Sequence, residues 1–191
     1  MVIDFRHNKN LKDPVKINGN IVDSVNSYKY LGCIIQDNFK WDKHIEMQTK
    51  KCNKRQFLLR RLNELHVDSN ILTLYYNSMI SSVLTYVIGS WFNACGVTLS
   101  RALEKVEKRA KRVIKQHFHY KLITPVNVYN RTSINSAEKI IEDETHPLHF
   151  LFKFLPHGIR LLSPLCRTNR YQTSPVPSFI HVFNNQDKLC D

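Results

Sequence analysis

The spacing of apolar and polar positions changes near residue 40. Before that point apolar residues come in short, strand-like runs. VIDF (Val2–Phe5) predicts a strand, and Asp13-Pro14 interrupts it. In VKINGNIV (Val15–Val22), Asn18-Gly19 separates two β-branched segments, the pattern of a hairpin with a two-residue turn. Tyr28 to Ile35 predicts one further strand, turned at Asp37-Asn38.

After Trp41 the period becomes helical. Trp41, Ile45, Cys52, Leu59 and Leu62 share one face, with Asp37 and Asn38 as caps before it. The opposite side carries Lys50, Lys51, Lys54, Arg55, Arg60 and Arg61. Asp68 predicts the N-cap of a second, apolar helix from Ser69 to about Phe92, ended by Asn93 to Gly96. Thr98 or Ser100 opens a third helix with the stripe Leu99, Leu103, Val106, Ala110, Val113 and His117. Its other face holds Arg101, Lys105, Lys108, Arg109, Lys111, Arg112 and Lys115. Ser133 to Asp143 predicts a fourth helix, stopped by His146-Pro147, and Leu148 to Leu155 a short helical turn. From Pro156 onward, Pro164, Pro175 and Pro177 among polar spacers predict an extended tail.

The expected fold is therefore α+β and mostly α. It has an N-terminal β-hairpin and strand region (1–38), a basic helical bundle (39–121), further short helices (122–158) and an extended C-terminal tail (159–191).

Composition adds a partner class to this outline. Lys and Arg number 28 against 16 acids, a formal net charge of +12 over 191 residues. Such an excess suits a polyanion. Cys33, Cys52, Cys95, Cys166 and Cys190 are odd in number and lack C-x-x-C spacing, which predicts reduced thiols rather than a disulfide framework or zinc site. Asp4, Arg6 and Lys9 leave no apolar leader after Met1, and the sequon Asn130-Arg131-Thr132 reads as chance, so an intracellular chain, nuclear or cytoplasmic, is expected. The apolar run Met79 to Phe92 is too short to span a membrane and predicts a core helix.

Catalytic motifs are scarce. The chain has five glycines and contains no phosphate-binding glycine loop, no G-x-S-x-G elbow and no Asp-Asp pair. His66-Val67-Asp68 has the H-x-D spacing of a facial iron triad, but it falls between helices, where Asp68 serves better as a cap. His146 and His149 could share a metal, yet no third ligand is evident, and a helix terminus is the preferred reading. The stronger signal is charge. Lys50, Lys51, Lys54, Arg55, Arg60 and Arg61 on one helix and Arg101, Lys105, Lys108, Arg112 and Lys115 on another form stripes that can follow a phosphate backbone.

Five segments in order, SYKYLGCIIQDNFKWDKHI, KKCNKRQFLLRRL, SVLTYVIGSWF, HPLH and CRTNRYQTSPVPSFIHVFN, together resemble the C-terminal part of the reverse transcriptase of LINE-type (non-LTR) retrotransposons. The resemblance spans nearly the whole chain and extends to VIDFR at its start, which makes Met1 an internal methionine of the longer polyprotein. It implies that Tyr30, Leu31 and Gly32 belong to a primer-grip strand, that Trp41 and His44 open the first thumb helix, and that Lys50, Lys51, Arg60 and Arg61 form that helix's basic face. It also implies that the fingers, the catalytic palm and the endonuclease lie outside this chain, so that no nucleotidyl transfer, metal or cofactor is expected. The expected function is a non-catalytic remnant, at most a sequence-independent module for duplex RNA or DNA, with no membrane or small-molecule partner. One alternative is an inert or protein-interaction helical domain. Another follows from TKKCNKRQFLLRRLNELHV (Thr49–Val67), which resembles the helical segment opening the AlkB homologue that modifies transfer RNA, here without the oxygenase and methyltransferase domains. Without a palm to cover them, Val22, Tyr30 and Ile34 must pack on the helices or remain exposed.

Overall fold

The computed structural model describes residues 15–114 and 122–186. The strand at Val2–Phe5, the stripe residue His117, Lys115 and Cys190 lie outside the described residues. The fold is α+β and mostly helical, with two small antiparallel hairpins ahead of the helices.

The first hairpin pairs β1 (Lys16–Ile17) with β2 (Asn20–Ile21). Asn18 and Gly19 turn it with φ of 49° and 83°, the doubly positive backbone of a type I′ turn. The segment read as a single strand is in fact a second hairpin. Here β3 (Ser27–Tyr30) pairs with β4 (Cys33–Gln36), with Tyr30 opposite Cys33. Leu31 and Gly32 are its turn, at φ of 44° and 83°. Continuous β-propensity concealed a reversal that glycine made possible. Cys33 and Gln36 are buried, whereas Val22 and Tyr30 stay largely open to solvent.

Helix α1 (Asp42–Glu64) presents Ile45, Cys52 and Leu59 to the core, as its periodicity requires. Its N-cap is Trp41, whose side chain makes no capping bond. Gln36 Oε1 instead accepts from the Lys43 N–H at 3.1 Å, and Asn38 Oδ1 accepts from Lys40 N–H at 2.9 Å. Asp37 and Asn38 are thus not the caps. Asp68 does cap α2 (Ser69–Tyr75), accepting from the Asn70 N–H at 3.1 Å.

The expected long helix from Ser69 to Phe92 is broken into pieces. After α2 come a π-helical turn (Tyr76–Ser81), α3 (Ser82–Leu84) and α4 (Ile88–Trp91). Hydroxyls loosen this stretch: Ser78 Oγ donates to Leu74 O at 2.8 Å and Thr85 Oγ1 to Ser81 O at 2.9 Å, competing with the helix ladder. Val87 then adopts φ of 51°, and the Trp91 indole N–H donates to the Tyr86 carbonyl at 2.9 Å. The apolar residues still reach the core, because Tyr76, Ile80, Leu84, Ile88 and Trp91 are buried.

Helix α5 (Val97–Ile114) buries Leu103, Val106, Ala110 and Ile114, so Thr98 and Ser100 lie inside its first turn rather than before it. Helix α6 (Pro125–Glu142) begins eight residues earlier than the apolar pattern implied. Thr124 accepts from the Asn127 N–H at 3.2 Å and Pro125 occupies the first turn, where its missing N–H costs nothing. A 3₁₀ turn (His149–Leu151) follows.

The C-terminal segment is not an extended tail. It folds into α7 (Asn169–Gln172) and α8 (Pro175–Asn184). Pro175 and Pro177 sit in the first turn of α8, where prolines start helices rather than end them. Ile180 of α8 joins Ala137, Ile140, Phe152 and Leu161 in a second apolar cluster. Asn184 clips the preceding loop to α8 by accepting from Leu161 N–H at 2.8 Å and donating to Leu161 O at 2.9 Å. No helix among the described residues is long and apolar enough to cross a membrane.

Candidate nucleic-acid interface

Helices α1 and α5 lie against each other through their apolar stripes. Two polar contacts fix their approach. The Gln56 amide donates to the Val106 carbonyl, and Arg109 Nη1 donates to Asn53 Oδ1 at 3.4 Å. Burial of the stripes forces the charged positions outward, because each residue advances about 100° around a helix axis.

On α5 this works as the sequence implied. Arg101, Lys105, Lys108 and Arg112, spaced by four, three and four, are all exposed on one face. Lys115 lies outside the described residues. On α1 the basic residues divide. Lys50, Lys54 and Arg61 share an exposed outer face with Lys43, and Lys51 flanks it. Arg55 turns away from that face. Its guanidinium donates to the Met79 carbonyl of the π-helical turn, and Tyr75 Oη donates to the Arg55 carbonyl at 3.2 Å. Arg55 therefore braces the π-helical turn, set apart from the outer face that Lys50, Lys54 and Arg61 share. The reason is angular: Arg55 is only one residue on from Lys54, so it points to a different neighbour.

Arg60 departs in the other direction, toward α5. With Arg109 and Arg112 it lines a groove of about 300 Å³ whose floor is Leu59, Ala110 and Val113. Among the described residues, no carboxylate lines this groove. A second, shallower groove of about 310 Å³ runs along α1 between Lys43, Lys50, Lys51 and Lys54, with Glu46 at its edge. Elsewhere acids temper the charge. Lys108 pairs with Glu104 at 3.3 Å, Arg61 with Glu64 at 2.7 Å, and Lys111 with Glu107. All three are pairs within a single helix; the two exposed ones, Lys108–Glu104 and Arg61–Glu64, belong to the class worth only about 0.3–0.5 kcal/mol, whereas Glu107 is mostly buried.

Tyr30, Leu31 and Gly32 occupy the tip of the second hairpin, not a strand running past a backbone. The tip rests on Tyr86, whose hydroxyl donates to the Leu31 carbonyl. A Cβ on Gly32 would lie 3.4 Å from the Tyr86 ring, an ordinary contact, so it is the positive φ that calls for glycine here. This contact joins the hairpin to the break between α3 and α4.

No family model matches the chain, and neither a curated protein nor a solved structure is significantly similar to it.

Trp41 and His44 are brought together at the root of the hairpin. His44 is fully buried, with the rings of Trp41 and Trp91 edge-on at 5.8 and 6.1 Å. Its Nδ1 accepts from the Ile34 N–H at 3.3 Å, and its Nε2 faces the Gln48 amide at 3.4 Å. Burial holds the imidazole below the ordinary histidine range, reinforced by the nearby charge of Lys51. The role of His44 is to fasten β4 to α1.

The other histidines singled out by spacing are engaged locally. His66 has φ of 55° at the junction between α1 and α2, beside the capping Asp68. His146 Nδ1 accepts from the Leu148 N–H at 3.1 Å, while His149 Nδ1 lies 2.9 Å from the Ile140 carbonyl. No cluster of three or more His, Cys, Asp or Glu among the described residues is arranged to hold a metal ion. Cys33 and Cys52 are buried free thiols, and burial pushes Cys52 up to about 12.

Sequence reasoning did not single out Lys43, Asn53, Tyr86 or the grouping of Arg60 with Arg109. Lys43 was accessible from the seven-residue spacing to Lys50. The Arg60–Arg109 grouping depends on how two helices pack, which periodicity within each helix does not encode.

Proposed function

We propose that this chain is a non-catalytic, sequence-independent nucleic-acid-binding module descended from the thumb region of a LINE-type reverse transcriptase. The observation that carries this reading is the convergence of Arg60, Arg109 and Arg112 on one groove, lined by no carboxylate among the described residues, between two helices whose outer faces are also basic. Guanidinium groups bind phosphates by paired N–H donors, and an array of them along two helices holds a backbone without reading bases. The net charge of +12 supports the same partner class. The retroelement origin rests on the ordered sequence segments.

The test is binding of a fluorescently labelled duplex at increasing salt. Affinity that falls linearly on a log–log plot, with a slope near −0.9 per phosphate contacted, supports the proposal. A second reading, a protein-interaction domain, is favoured by the exposed apolar residues of the hairpins, among them Ile17 (61%), Ile21 (64%) and Leu31 (74%). Replacing Arg60, Arg109 and Arg112 with Ala separates the two, since only the first reading needs them.

A further inference from the structure

We propose that the reversal of the chain over residues 153–162 docks an acidic, amphipathic segment of a partner protein on its outer face. The inference goes beyond the nucleic-acid reading and uses none of the residues of the α1–α5 groove. Phe154 and Leu161 form an antiparallel bridge; the Leu155 N–H donates to the Arg160 carbonyl at 2.8 Å, and the Leu162 N–H to the Lys153 carbonyl at 2.7 Å. Gly158, at φ of 72°, lies in the turn. Successive side chains of paired strands point to opposite faces, so this register sorts the residues. Phe154 and Leu161 share the inner face: the Phe154 ring meets Phe183 of α8 edge-on at 6.4 Å, and Leu161 is buried. Lys153, Leu155, Arg160 and Leu162 share the outer one, with Leu162 opposite Lys153 and Leu155 opposite Arg160. Leu162 is 53% exposed there, and Ile159 beside the turn is 74% exposed. Lys153 and Arg160 are exposed too, and neither is paired with a carboxylate among the described residues.

Charge selects the occupant. From Thr145 to Gln186 the sequence holds no Asp or Glu, but it holds Lys153, Arg160, Arg167 and Arg170. The cations of the outer face call for carboxylates, and Leu162 and Ile159 call for apolar side chains between them. A second copy of this chain brings the same positive charge, a formal +12, and is repelled. A phosphate backbone satisfies the cations but leaves the two aliphatic side chains in water. A membrane anchor gathers its apolar residues on one side and its cations on the other, whereas here the two alternate across the strands. Strand addition is disfavoured at both edges: Pro156 has no N–H to offer, and the Asn184 amide already satisfies the N–H and C=O of Leu161. The partner therefore docks through side chains, with Asp or Glu flanking Leu or Phe.

The full chain is titrated, by fluorescence anisotropy, with a panel of short labelled peptides rich in Asp and Glu that carry Leu and Phe at helical or alternating spacing. The comparison probes are peptides of equal charge with Ser in place of Leu and Phe, and phosphatidylcholine vesicles containing phosphatidylserine. At least one amphipathic peptide is expected to bind about tenfold or more tightly than its Ser counterpart. L162S and K153E/R160E each remove about tenfold of that affinity, while K16E/K29E, the same change of charge on the first two hairpins, does not. All of these positions are exposed, and circular dichroism checks that the variants fold. Equal binding of the amphipathic and Ser peptides, affinity that L162S retains, or an equal loss in K16E/K29E overturns the proposal by reducing the contact to net charge. Binding to the vesicles but to no peptide overturns it in favour of an anionic membrane surface, and binding to neither probe overturns it outright. Duplex binding is read separately, so each of these results leaves the nucleic-acid reading standing or falling on its own test.

Discussion

His44 offers a quantitative handle on how the hairpin and helices are joined. Replacing it with Ala removes a fully buried ring, its two edge-on contacts with Trp41 and Trp91, and the acceptor for the Ile34 N–H. Aromatic pairs of this geometry contribute about 0.5–1.5 kcal/mol each beyond their buried area. A backbone donor stranded without a partner costs about 1–3 kcal/mol, and the lower end applies because Ile34 is only half-buried. The sum, before any cavity, is about 3 kcal/mol, a large share of the 5–15 kcal/mol that typically stabilises a domain. Urea unfolding followed by circular dichroism measures it as a shifted midpoint at unchanged slope. The same residue sets a pH dependence. Its folded pKa lies below the ordinary value of 6.5, so the unfolded chain binds the proton more readily. This contribution is complete above pH 6.5 and declines as pH falls from 6.5 toward the folded pKa, with a limiting slope of about 1.4 kcal/mol per pH unit. H44A should lack that acid-side loss. A destabilisation under about 1 kcal/mol, or an acid slope identical in H44A and the parent, refutes the assignment of His44 as the fastening between β4 and α1.

Two further predictions concern the helices. Val87→Gly relieves a β-branched residue of a left-handed backbone, worth about 1–2 kcal/mol, at a position 43% exposed, so the variant should gain up to about 1 kcal/mol in urea after glycine's entropy is counted. Asp68→Ala removes the N-cap of α2 and should lower stability by about 1 kcal/mol, read from the thermal midpoint, with Asp68→Asn or Asp68→Ser nearly neutral.

Much of the fold was legible because local rules and tertiary packing agree. Asn18-Gly19 predicts a hairpin and makes one; Trp41, Ile45, Cys52 and Leu59 predict a buried stripe and form one. The departures have local causes as well. Leu31-Gly32 lay within an apolar, β-branched run, and nothing in the alternation distinguishes a continuing strand from a tight reversal except the glycine itself. Val87 takes a conformation its side chain disfavours, which no propensity would select; it is imposed by packing Leu84 and Ile88 into one core on either side of the break. Pro175 and Pro177 were read as breakers, although a proline in a first helical turn removes no bond the helix would have made. The site was half visible in the same sense. Spacing located the outward stripe of α5, but whether Arg55 braces the π-helical turn and Arg60 faces α5 depends on which helix packs at each flank of α1.

The measurement that bears most directly on the proposed module is the salt dependence of duplex binding by the parent chain and by the R60A/R109A/R112A variant. The account predicts linear log–log plots, with the variant's slope shallower by about 2.7, three phosphate contacts at about 0.9 each, and with the loss of affinity similar for unrelated sequences. Parallel slopes for parent and variant, or binding insensitive to salt, would contradict it.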